Sequence, residues 1–279
     1  MKSSLTVVIP NYNKAKYIGR CLDSILQQTY LPEEIIVVDD CSTDDSREII
    51  NEYAEKHGII RTIYLEENAG VSNARNTGIK SVKTEFLTFI DSDDYYFDRN
   101  KLKNEMAKSL EYSALGYEPL VYSRTIIVDE EGNLISCRQN KKWKKYEFIK
   151  GPKALSVLIS RLKQKRIPRD YCIRKNIIEK VGAYSFPNNF YEDLDLLMRI
   201  ARSGVYFVPT YMPGTAYRQV TNGLSSKSST DHKVAMDEIC DSYIKDLSVL
   251  SKLKVFCLKF YVKARYSAIK VLRKLLHKA

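Results

Sequence analysis

The strongest constraint on the fold is an alternation that runs through the first ninety residues. Leu5-Thr6-Val7-Val8-Ile9-Pro10 is a short apolar run, and a helical spacing through Ile18, Leu22, Ile25 and Leu26 follows it. Ile35-Ile36-Val37-Val38 is a second run, followed by a helical pattern from about Ser46 to Lys56. A third run spans Ile60 to Leu65, with a helix predicted from about Val71 to Ser81, and Phe86 to Ile90 forms a fourth. Continuous apolar strands that alternate with helices predict a parallel sheet covered on both faces. Ligands of such sheets bind beyond the carboxyl ends of the strands. Three polar clusters fall there: Pro10-Asn11-Tyr12-Asn13, Asp39-Asp40 and Asp91-Ser92-Asp93. Their convergence on one sheet edge reads as a site.

Strand alternation places Asp91 and Asp93 on one face as the fourth strand ends. Two like charges that close repel unless a cation or several donors stand between them. Hard carboxylate oxygens suit Mg2+ or Mn2+, with phosphates completing the shell. Taken alone, the same acids read as a polar turn after a buried strand.

The motifs then resemble a known family. Val8-Ile9-Pro10-Asn11-Tyr12-Asn13, Val37-Val38-Asp39-Asp40-Cys41-Ser42-Thr43-Asp44, Asn68-Ala69-Gly70 with Ala74-Arg75-Asn76-Thr77-Gly78, and Asp91-Ser92-Asp93-Asp94 are similar to those of the inverting family 2 glycosyltransferases of GT-A fold. Glu192-Asp193 resembles the later acidic pair of that family. The resemblance covers roughly residues 4 to 220. It implies an α/β fold, a Rossmann-like and mostly parallel sheet flanked by helices, merged with an acceptor-binding half and followed by an amphipathic C-terminal helix. The expected division is 1–115 for the nucleotide-sugar donor, 116–220 for the acceptor and catalytic base, and 221–279 for a lid or linker and terminal helices.

The resemblance also implies roles. The donor is a nucleoside-diphosphate sugar, and the acceptor a hydroxyl of a saccharide or lipid-linked saccharide. Asp93 is expected to hold the Mn2+ or Mg2+ ion, which neutralises the departing pyrophosphate. Asp91 would reach the donor ribose, and Asp94 either supports that pair or caps the next turn. Asp39 would accept from the imide N–H of a uracil-like base, Tyr12 would stack on it, and Pro10 would fix the backbone beside it. Arg75 would grip the base edge or the pyrophosphate. Asn68 lies in the loop before that helix, where Gly70 permits close backbone approach or makes an ordinary turn. Asp193 is expected to be the base, although acids in a first helical turn also serve the helix dipole. Arg218 is a candidate for the pyrophosphate. In the family a histidine often stands near the position of Val220, but here the nearest is His232, so no second protein ligand for the ion is evident. Gln219 or His232 could contribute after closure of the Ser-rich stretch Asn222 to Thr230, which reads as a lid or as a linker.

Charge adds a placement. Of 45 Lys and Arg residues, nine lie in 251–279, which has no Asp or Glu, leaving 36 basic against 34 acidic residues elsewhere. Lys252, Lys259, Lys263, Lys270 and Lys274 share one face of the predicted terminal helix, opposite an apolar face. Such a helix suits an anionic membrane surface, or packing on the body or a second subunit. Arg138, Lys141, Lys142, Lys144 and Lys145 around Trp143 form a second basic stretch. No nucleic-acid-binding motif accompanies the charge. Six cysteines without metal or disulfide spacing, no signal-like N-terminus and no membrane-length apolar run predict a cytoplasmic protein, peripheral on the inner membrane face. Two other readings stand beside this one. A nucleotidyltransferase needs a Gly-rich loop where Pro10-Asn11-Tyr12-Asn13 stands, and a sugar-nucleotide-binding module would lack Asp93 or Asp193.

Overall fold

The computed structural model describes residues 5–137, 149–151, 154, 170–185, 191–220 and 242–243. The Ser-rich stretch, His232, the basic stretch around Trp143 and the segment 251–279, for which a helix is expected, lie outside them.

The predicted alternation is realised. Strands β1 (Leu5–Asn11), β2 (Glu34–Asp39), β3 (Ile60–Tyr64) and β4 (Phe86–Phe89) are separated by helices α1 (Ala15–Leu26), α2 (Ser46–Lys56) and α3 (Val71–Ser81). They build a five-stranded sheet in the order β3-β2-β1-β4-β8, in which β8 (Ile173–Arg174) is the antiparallel edge. Period-two alternation divides the core between two faces. Val8, Ile36, Val38, Leu87 and Phe89 face one way, onto Ala74 and Ile79 of α3 and onto the later helix α6 (Glu192–Arg202). Val7, Ile9, Ile35, Val37 and Phe86 face the other, onto α1, α2 and Leu102 and Met106 of α4 (Lys101–Ala114). Gly78 makes the first of these contacts possible, because a Cβ there would lie 2.3 Å from Val8 Cγ1.

The second half forms a four-stranded sheet in the order β5-β9-β6-β7, from Tyr95–Tyr96, Tyr206–Arg218, Pro119–Val128 and Leu134–Cys137. A short helix α5 (Lys175–Lys180) follows β8. β6 and β9 run parallel, with a bulge opposite Tyr122–Thr125 where Tyr211 adopts a left-handed φ of 65°. β5 pairs antiparallel with β9, Tyr95 opposite Ala216. Since β5 follows directly on the acidic turn, this pairing carries the end of β9 to that turn. A bridge between Val121 and Cys172 joins the two sheets.

An ionic group is buried between α4 and the second sheet. Lys101 Nζ stands 2.8 Å from Glu105 Oε2 and 3.0 Å from Asp170 Oδ2. Ser123 Oγ donates to Glu105 Oε1 at 2.6 Å, and the Thr215 hydroxyl bonds Asp170. Burial pushes the Glu105 carboxyl up to about 7, with Lys101 opposing it.

Candidate active site

One expectation about the acidic pair is overturned. Strand β4 ends at Phe89, so alternation does not extend to Asp91 and Asp93. They sit instead in a turn closed by Asp94 N donating to Asp91 O at 2.9 Å. The turn is braced from the far end of the chain. Asp94 Oδ1 accepts from Arg218 N at 2.8 Å, and Arg218 Nε donates to Asp93 O at 2.9 Å. Arg218 also bonds the Glu130 carbonyl and lies over the rings of Tyr17 and Tyr95 at 4.9 and 5.5 Å. At 4 % exposure its guanidinium is directed to main chain rather than to an open cleft.

The repulsion between the acids is met by cations from two different elements. Arg75 Nη2 on α3 stands 2.6 Å from Asp91 Oδ1. Lys14 Nζ, at the start of α1, stands 2.8 Å from Asp93 Oδ2. The second arm of Arg75 reaches the other half of the protein, with Nη1 2.7 Å from Glu192 Oε1, and its guanidinium lies 5.2 Å over the Tyr184 ring. Phe89 packs edge-on against Tyr184 and Tyr171, which form an apolar wall behind the arginine.

Glu192 and Asp193 open α6 as predicted, after Tyr191 in a left-handed cap with φ 64°. Burial, then the neighbouring Asp193 charge, push the Glu192 carboxyl up to about 6 against the pull of Arg75. Asp193 is half-buried, and its Oδ1 accepts from Leu194 N at 2.7 Å. The helix is held in place through Asp195, which accepts from Arg199 Nε and from the Tyr243 hydroxyl, each at 2.8 Å. Arg199 donates in turn to the carbonyls of Val181 and Ala183.

At the end of β2, Asp39 is fully buried. Oδ1 accepts from Ser42 N at 3.0 Å and Arg47 Nε at 2.7 Å, and Oδ2 from Asn11 Nδ2 at 2.9 Å and Ser42 Oγ at 2.5 Å. Burial raises its pKa, but these hydrogen bonds prevail and hold it below the ordinary carboxylate range. A carboxylate has about four acceptor positions, so a base that bonds Asp39 must displace one of these donors. Asp40 clamps the loop before α3, accepting from Ala69 N at 3.0 Å and Gly70 N at 2.8 Å. Gly70 has φ 88°, the conformation that favours glycine, and Asn68 beside it is exposed. Pro10 is buried in β1, while Tyr12 just beyond it is 43 % exposed.

The structure therefore joins Asp91, Arg75 and Glu192 in one chain of contacts, and Asp93 with Lys14 and Arg218 in another. Lys14 and Tyr184 are members of the site that sequence reasoning missed, whereas Asp40 and Glu192 stood inside quoted motifs. A lysine opening a surface helix carries no signal of its own. Among the described residues no cluster of three His, Cys, Asp or Glu side chains forms a metal centre. Asp93 nevertheless fits a hard cation. Its side chain is 19 % exposed and meets Lys14 through Oδ2, and one or two carboxylates suffice when a diphosphate supplies further oxygens. No helix among the described residues is long and apolar enough to cross a membrane.

Comparison with known proteins agrees with this geometry. Residues 6–160, more than half of the chain, match Glycosyl transferase family 2. Glycosyltransferase GlyA of Streptococcus pneumoniae is 45% identical over 111 residues, 39% of this chain and 16% of its own length. The putative teichuronic acid biosynthesis glycosyltransferase TuaG of Bacillus subtilis is 35% identical over 128 residues, 44% of this chain and 50% of its own. The chain thus spans half or less of the length of these relatives. S. aureus TarS 1-349, solved in complex with UDP-GlcNAc, superposes with a TM-score of 0.67 at 23% identity, over 89% of this chain and 68% of that one. The shared architecture is the GT-A fold.

Proposed function

From the premise that this chain belongs to glycosyl transferase family 2, we propose that it moves a sugar from a UDP-sugar to a saccharide hydroxyl with inversion at the anomeric carbon. The observation that carries the reading is the chain of contacts Asp91–Arg75–Glu192. It holds the helix bearing Asp193 against the strand edge where the donor would lie. The choice of UDP draws on the UDP-GlcNAc complex of TarS, and the saccharide acceptor on the teichuronic acid role in the name of TuaG.

In this reading the uracil stacks on the exposed face of Tyr12, with Pro10 shaping the backbone below. Its imide N–H reaches Asp39 by displacing a donor, of which Arg47 is the more exposed. Asn68 lines the same cleft from the loop that Asp40 holds. Asp91 accepts from the ribose while Arg75 fixes its orientation. Asp193 takes the proton from the acceptor hydroxyl as that oxygen bonds to the anomeric carbon. The bond from carbon to the β-phosphate oxygen breaks on the opposite side, and UDP leaves with the electron pair. Glu192, partly protonated near pH 6, keeps a second full negative charge away from Asp193 at mildly acid pH. Asp93 is the residue that would hold Mn2+ or Mg2+, which neutralises charge on the departing diphosphate. Arg218 contributes by bracing the turn that carries Asp93.

A lipid-linked acceptor requires contact with a membrane, and we assign that contact to the basic segment 251–279, on the cytoplasmic face. The function is tested by incubating the protein with a panel of UDP-sugars and Mn2+ and measuring UDP release with and without saccharide acceptors. An acceptor-dependent release with one sugar, and a β-linked product from an α-linked donor by NMR, is the expected result. An α-linked product overturns the inverting assignment.

A further inference from the structure

Lys14 has no place in the reading above, yet it makes the closest side-chain contact to Asp93. Its backbone is pinned on both sides. Lys14 N donates to Ser46 Oγ at 3.0 Å, and Lys14 O accepts from Tyr17 N at 2.8 Å and Ile18 N at 2.9 Å. The preceding Asn13, in a left-handed conformation at φ 51°, turns the chain into α1, and its Oδ1 accepts from Thr43 N at 2.8 Å. The side chain thus leaves a fixed point at the end of β1 and crosses to the turn after β4. Its Nζ then lies 2.8 Å from Asp93 Oδ2, with only 27 % of the side chain exposed.

The two cations of the acidic turn are unlike. Arg75 is nearly buried and divides its guanidinium between Asp91 and Glu192, so both arms are occupied by the scaffold. Lys14 ends in a compact ammonium with three donors and no fixed bonding plane. It makes one ion pair, to the acid expected to hold the divalent ion.

Resting on the donor reading, we propose that Lys14 is a tethered cation of the diphosphate site. With no ion bound, it neutralises Asp93 and offers its remaining N–H donors to the diphosphate of the nucleotide. A divalent ion arriving at Asp93 shares or takes over that role, so ammonium and ion are partial substitutes. No covalent step is involved. The outcome is that nucleotide binding retains an ion-independent component, set by Lys14.

The test is calorimetric binding of UDP to the full chain, in Mn2+ and in EDTA, for wild type, Lys14→Met and Lys14→Arg. Wild type should bind UDP in both conditions. Lys14→Met should weaken binding in EDTA by about tenfold or more while changing binding in Mn2+ much less. The ratio of the two affinities rises accordingly. Lys14→Arg, which keeps the charge, should stay near wild type and shows that the site is intact. A Lys14→Met protein with the wild-type ratio overturns the proposal and leaves the donor reading standing. Wild type that binds no UDP in either condition overturns both.

Discussion

Arg75 and Glu192 stand 117 residues apart in the chain and meet through a 2.7 Å ion pair in which both side chains are about nine-tenths buried. The pair welds the carboxyl edge of the first sheet to the helix that carries Asp193. Truncating one partner of a buried pair leaves the other uncompensated, at a typical cost of about 3–5 kcal/mol. Arg75→Met should therefore lower thermal stability as well as transfer, and Arg75→Met combined with Glu192→Gln should recover part of the melting temperature without recovering turnover.

Asp193→Asn keeps the shape of the first turn of α6 and removes its basicity. Turnover should fall by about a hundred- to ten-thousand-fold, the usual contribution of a general base, with UDP affinity nearly unchanged. Steady-state kinetics and UDP calorimetry on the same preparation separate the two. Full activity in this variant removes Asp193 from the mechanism.

Asp93→Ala should abolish transfer and leave the melting profile close to wild type, because the Asp93 side chain lies at the edge of the site with one ion pair. Chelation with EDTA should have the same effect on turnover. Transfer at the wild-type rate in both cases places catalysis outside the acidic turn.

The buried Lys101, Glu105 and Asp170 group gives a pH signature. The folded carboxyl of Glu105 titrates near 7, above its ordinary value of 4.5, so this residue stabilises the fold fully below pH 4.5 and loses that contribution as pH rises through 7. Gln resembles the protonated form at every pH. The deficit in melting temperature of Glu105→Gln against wild type should therefore shrink between pH 5.5 and pH 8. A deficit that is constant or grows shows that Glu105 is ionised throughout.

Gly78→Ala pushes a methyl into Val8, at 2.3 Å from its Cγ1, and should cost about 1–3 kcal/mol by overpacking. In a Val8→Ala background the added cost should largely vanish, a coupling readable from urea midpoints.

The elements up to Ser81 were legible in the sequence because each carries its own period. The bounds of α2 and α3 fall where the pattern placed them. What was not legible depends on pairings between distant residues. Extrapolating β4 through Asp91 ignored that the local bond from Asp94 N to Asp91 O competes with the ladder and ends the strand. Lys14 reads as a solvated helix start until the fold brings Asp93, 79 positions later, to its ammonium. Arg218 looked like a ligand group because buried arginines and binding arginines share one letter. Its bonds to the carbonyls of Asp93 and Glu130 depend on β9 arriving beside the acidic turn, which no local pattern announces.

Val8 on the first strand and Leu197 on α6 belong to one continuous apolar core, which also takes in Leu120 of β6 and Phe207 of β9. The two halves of the chain are thus not modules in the engineering sense. A chimera that replaces residues 116–220 with the corresponding segment of a relative imports foreign volumes against Val8, Ile36 and Phe89, and should misfold or melt early unless those three change with it. Exchanges that leave this interior untouched belong at the rim, in the loops that end the strands.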